Sequence, residues 1–81
     1  MERTDFLKLA HRVSQYDNGV LDIKKNIPQE LLVKYNDGVY YPTGYEMKFR
    51  NGETLHLAIL HELCTNSVVY APLDKVVGKW N

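Results

Sequence analysis

A single cysteine, no basic excess and no long apolar run remove several function classes at the outset. One thiol cannot build an internal disulfide framework, and it fits a reducing compartment. Ten basic residues balance ten acidic ones, whereas strong sequence-independent nucleic-acid binding normally shows a basic surplus. No stretch is long and apolar enough to span a membrane, and the charged start Met1-Glu2-Arg3-Thr4-Asp5 leads into no signal-peptide core. A cytoplasmic protein with no membrane partner is the expectation. No glycine-rich loop opens a helix, which excludes a phosphate cradle. Repeats, low-complexity tracts and linkers are missing too. The 81 residues therefore make one domain, 1–81, which buries roughly 60% of the surface its unfolded chain exposes.

What is present is alternation. In residues 44–63, Tyr45, Met47 and Phe49 alternate with Glu46, Lys48 and Arg50, and Leu55, Leu57 and Ile59 alternate with Thr54, His56 and Ala58. A period of two predicts a β-hairpin with one buried face around Asn51-Gly52. A two-residue loop would pair Lys48 with Leu55 and Glu46 with Leu57, mixing the faces. A three-residue loop, Arg50-Asn51-Gly52, instead sets Met47 opposite Leu55 and Tyr45 opposite Leu57, with Gly52 in the left-handed position of a G1 bulge. Packing favours the three-residue loop. Leu55, Ile59 and Leu63 also fit a helical stripe, but the match in parity with Tyr45 to Phe49 favours strand.

The same reasoning extends upstream. Asn36-Asp37-Gly38 predicts a second three-residue loop, with Tyr35 opposite Val39 and Val33 opposite Tyr41. Odd positions from 39 to 49 would then share one face across Pro42-Thr43-Gly44. Proline gives no N–H to a ladder and glycine tolerates a bulge, so this tripeptide should bend the strand without ending it.

Residues 4–15 read as an amphipathic helix, with Thr4 as N-cap and Phe6, Leu9, Ala10 and Val13 on one stripe. Asp17-Asn18-Gly19 stops it, and Val20 to Ile23 suggests a short extended piece. Asn26 to Glu30 reads as a capped single turn with Pro28 inside it. Strands are expected over about 31–35, 39–49, 53–63 and 67–71, followed by a turn or short closing strand from Leu73 to Val77. The fold class is α+β: an N-terminal helix packed on a strongly bent antiparallel meander of three to five strands, able to curl into a half-open barrel.

Candidate chemistry is thin. His56, His61, Cys64 and His11 are zinc-ligand types, yet an odd spacing sends His56 and His61 to opposite strand faces, and the paired cysteines of zinc signatures are missing. Cys64 with His61 lacks an oxyanion pocket for nucleophilic work, and the carboxylates are scattered at turns and polar faces. The residues suggest no catalytic site, no metal and no cofactor. Tyrosine is the compositional oddity, at six residues. Tyr35, Tyr41, Tyr45 and Tyr70 fall on the inward parity. Tyr40 falls on the outward one, opposite Lys34, where it offers contact area at low entropy cost. Strand propensity alone is the more ordinary explanation of a single exposed tyrosine.

The opening Met1-Glu2-Arg3-Thr4-Asp5-Phe6-Leu7, with Tyr41-Pro42-Thr43-Gly44-Tyr45 and Val69-Tyr70-Ala71-Pro72-Leu73, resembles small proteins carried on bacterial conjugative transposons and prophages. The resemblance implies an accessory protein of a mobile element and brings no activity or site residues. The expected function is thus non-enzymatic: a small accessory or regulatory protein acting through an outer sheet face or strand edge. Lys34, Tyr40, Lys48 and Arg50 form the candidate surface for a protein partner or a second copy. The alternative is weak nucleic-acid binding through Lys24, Lys25, Lys34, Tyr40, Lys48 and Arg50, an analogy with other small barrels.

Overall fold

The computed structural model describes residues 1–16, 27–62, 65 and 67–78. One helix, α1 (Arg3–Ser14), precedes five strands: β1 (Val33–Tyr35), β2 (Gly38–Arg50), β3 (Glu53–Glu62), β4 (Val68–Pro72) and β5 (Val77–Gly78). Short 3-10 turns at Gln29–Leu31 and Leu73–Lys75 precede β1 and β5. The strands form one open antiparallel sheet in the order β4-β3-β2-β1-β5. The fold is α+β, as the alternation predicts, and among the described residues the sheet does not close into a barrel. The helix stop at Asp17-Asn18-Gly19, the extended piece at Val20 to Ile23, and Cys64 lie outside the described residues.

α1 begins one residue earlier than the sequence suggests. Its N-cap is Glu2, not Thr4, and no side chain caps it; the Phe6 N–H donates to the Glu2 carbonyl at 3.0 Å. The predicted stripe holds. Phe6 and Val13 are buried, with Leu9 and Ala10 packed beside them. The Met1 amino group donates to the carbonyls of Leu73 (3.1 Å) and Val76 (2.9 Å), tying the start of the helix to the turn before β5. Pro28 lies just ahead of its 3-10 turn rather than inside it.

Both hairpin loops are shorter than packing arguments predict. Arg50 faces Glu53, Lys48 faces Leu55 and Glu46 faces Leu57, so the loop is Asn51-Gly52 alone. Upstream, Tyr35 faces Gly38 and Val33 faces Tyr40 around Asn36-Asp37. All four loop residues have positive φ: +46° and +65° at Asn36 and Asp37, +53° and +78° at Asn51 and Gly52. These are type I′ turns, whose twist matches that of the flanking strands and which asparagine, aspartate and glycine enter at least cost. Local turn geometry outweighs the facing of apolar side chains.

The faces are reconciled at Thr43. Pro42 pairs with Leu60 and Gly44 with Ile59, leaving Thr43 as an extra residue whose hydroxyl donates to the Ile59 carbonyl at 3.2 Å. The expected bend at Pro42-Thr43-Gly44 is there, and β2 runs on through it. A bulge of one residue inverts parity, so Tyr40 and Pro42 share a face with Tyr45, Met47 and Phe49. The odd positions of β2 do not form one face. Pro42 is tolerated because Tyr41 and His61 form the neighbouring pair with β3, and β1 stops opposite Tyr40.

The core therefore uses the residues of β3 that alternation assigns to solvent. Ala58 and Leu60 are fully buried with Phe6, Val33, Ala71, Leu73 and Val76. A second cluster joins Val13, Ile27, Leu31, Leu32 and Tyr41. Leu55 and Met47 are exposed, Tyr45, Leu57 and Ile59 only half-buried. The expectation that these five line the core is corrected for four of them: register puts Leu55, Leu57 and Ile59 on the face away from α1, and Met47 beyond the helix, whereas Tyr45 packs against the core cluster. The type I′ geometry also changes what the turn predicts. Gly52→Val is expected to cost roughly 1–2 kcal/mol, and Asn51→Ala about 1 kcal/mol, because both sites are left-handed. Urea denaturation of the two variants measures this; a silent Asn51→Ala would contradict the I′ assignment.

Candidate interaction surface

The face of β3 that turns away from α1 carries Leu55, Leu57, Ile59 and His61 in register with Pro72, Tyr70 and Val68 of β4. On the other side Lys48 sits beside Leu55, and Glu46 beside Leu57. Ile59 lies across Gly44, whose missing Cβ leaves room for its side chain (3.2 Å to Ile59 Cδ1 from an ideal Cβ). Leu55, Val68 and Tyr70 are 41%, 50% and 56% exposed. Such a continuous apolar strip on a small sheet differs from singly scattered surface hydrophobics.

β4 forms one edge of the sheet. The Glu62 N–H donates to the Ser67 carbonyl at 2.8 Å, which fixes the ladder: Val69 and Ala71 point their backbone groups at β3, and Val68, Tyr70 and Pro72 point theirs outward. Among the described residues nothing pairs with that edge.

The β2–β3 hairpin outruns its neighbours. β4 pairs with residues 57–61 of β3, and β1 with residues 38–40 of β2. Beyond them a two-stranded ribbon carries Met47 and Phe49 on one side and Lys48, Arg50 and Leu55 on the other; Phe49 is 78% exposed. The 40 Å long axis against 27 and 23 Å for the others agrees with this projection. At the base of the ribbon Tyr45 and His56 stack at 5.9 Å, with the tyrosine hydroxyl against His56 Nδ1. Tyr45 also closes a shallow groove with Arg3, Leu7 and His11 of α1.

Of the four residues expected at the surface, Lys34, Lys48 and Arg50 are exposed and share one pleat direction. They do not gather. Lys34 faces Val39 and Lys48 lies nine residues further along β2, up to roughly 30 Å by strand rise. Tyr40 is on the opposite face, half-buried against the core, with its ring over Gly38 and 6.3 Å from Tyr35. Its expected outward parity is corrected by the two-residue loop, which pairs it with Val33. Tyr70, expected inward, is exposed. The signal for Val68 and Tyr70 was in the charge-free run Val68-Val69-Tyr70-Ala71, but register decides which of these residues face solvent.

His56 and His61 do fall on opposite faces of β3, with His61 against the Tyr41 ring at 5.4 Å. No group of three metal-ligating side chains exists among the described residues, and none of these buries a polar or charged side chain. A mixed-charge cleft beside α1 contains the Arg12–Glu30 ion pair at 3.1 Å, both partners well exposed and worth little to stability. No described helix is long and apolar enough to cross a membrane. No family model, curated protein or solved structure matches this chain.

Proposed function

We propose that this chain is a non-enzymatic protein-interaction module that binds through the outer face of β3 and β4. The apolar strip of Leu55, Leu57, Ile59, Val68 and Tyr70 carries this reading. It lies opposite the helix, where burial would not be needed to hold the fold. The accessory role implied by the resemblance to mobile-element proteins is part of the same proposal.

Leu55→Lys with Leu57→Lys is the test, since a lysine stem can lie along the sheet while its charge stays in water. Immobilised double variant is expected to capture at least tenfold less of whatever wild-type protein retains from native-host extract, with an unchanged melting temperature. Equal capture by both would defeat the reading. The second reading, weak nucleic-acid binding, draws on Phe49 flanked by Lys48 and Arg50 at the ribbon tip. Retention on a nucleic-acid column that falls steeply with salt, and falls further in Lys48→Ala, would favour it.

A further inference from the structure

We infer that a second copy of the chain joins this one antiparallel along β4, the open edge beside this face. The inference rests on the proposed interaction surface and extends it across the edge.

Edge strands are usually blunted by lysine, an inward charge, a bulge or a covering element. Among the described residues β4 has none of these along Val68-Val69-Tyr70-Ala71, and only Pro72 limits it. Val68 and Tyr70 aim their N–H and C=O groups at the open edge, as the Glu62–Ser67 bond requires. A two-fold axis through Val69 sets Val68 against Tyr70 of the other copy, twice, and each such pair exchanges two hydrogen bonds. Moving the axis to Tyr70 would set Val68 against Pro72, which has no N–H, so that each such pair keeps one bond of two. The axis through Val69 is the register in which both Val68–Tyr70 pairs are complete.

Side chains agree with that register. Each Val68 lies beside a Tyr70 on the outer face, a β-branched residue against an aromatic ring, which is a favourable cross-strand pair. The two apolar strips then join into one surface across a ten-stranded sheet. Charge does not oppose the pairing, because equal numbers of acidic and basic residues leave each copy with no net charge. A single strand edge buries less than the roughly 1,600 Å² of a standard interface, so the dimer is a weak one, with dissociation in the micromolar range.

The register makes a charge-swap experiment decisive. One double variant, Val68→Lys with Tyr70→Lys, places like charges opposite each other in its own dimer; so does Val68→Glu with Tyr70→Glu. Both sites are exposed, so circular dichroism should match wild type. By sedimentation velocity, wild type is expected to shift from monomer to dimer as concentration rises through the micromolar range. Each variant alone should dissociate at least tenfold more readily, and an equimolar mixture should recover the dimer. Tyr70→Pro, which removes an outward N–H and no bond to β3, gives the same answer if the charged variants fail to fold. Wild type that stays monomeric, or variants that dimerise undiminished, overturns the inference. Should wild type stay monomeric while Leu55→Lys with Leu57→Lys still loses capture, the second copy is excluded and the interaction face stands.

Discussion

Phe6→Ala is expected to remove most of the stability of this protein, whereas Phe49→Ala removes almost none. The chain has two phenylalanines, one with no exposed surface and one 78% exposed. Phe6 is the one α1 residue fully buried in the cluster with Val33, Ala58, Leu60 and Ala71, and so anchors the helix on the sheet. Truncating a buried phenylalanine costs roughly 3–5 kcal/mol, the lost transfer energy plus the cavity left behind. A chain this size holds only about 4–12 kcal/mol in total. Urea denaturation midpoints compare the two directly. A Phe6→Ala protein as stable as wild type would mean that α1 does not pack as described.

Ala58→Leu carries the second large effect, with the opposite sign of volume. Ala58 and Ala71 face each other across β3 and β4, and neither exposes any surface. Their small size lets α1 and the Leu73 turn close over the sheet. Three added carbons at Ala58 have no space to enter, and such overpacking typically costs roughly 1–3 kcal/mol. Had the odd positions of β3 faced the core, the same change would add apolar surface at a solvent site and cost little. Thermal unfolding of Ala58→Leu thus tests the register as well as the packing, and an unchanged melting temperature would reverse the two faces of β3.

The element types were legible because they rest on local patterns. The stripe Phe6, Leu9, Ala10 and Val13 gives the helix, and strict alternation from Thr54 to Ile59 gives β3 against a competing helical reading. The choice of face was not legible. Alternation states that two faces exist, and on β3 the larger residues, Leu55, Leu57 and Ile59, suggested the wrong one. Their smaller neighbours Ala58 and Ala71 lie inside because a helix must approach closely there. The loop lengths fell to the same preference: pairing apolar with apolar demanded three residues, whereas Asn36-Asp37 and Asn51-Gly52 suit a two-residue turn with positive φ. Thr43 compensates for that choice, and nothing in its identity announces an unpaired residue. The candidate surface moved accordingly, from Tyr40 to Val68 and Tyr70.

The ribbon beyond Thr43 also separates two kinds of selection. Upstream, nearly every inward position on the sheet touches Phe6 or its neighbours, so most substitutions are screened by their effect on folding. From Glu46 to His56 the chain is held by its own ladder and turn, and its side chains lie largely outside the packed clusters. Changes there escape that screen. A lineage of such proteins could thus rewrite the tip, charge by charge, while inheriting the same scaffold.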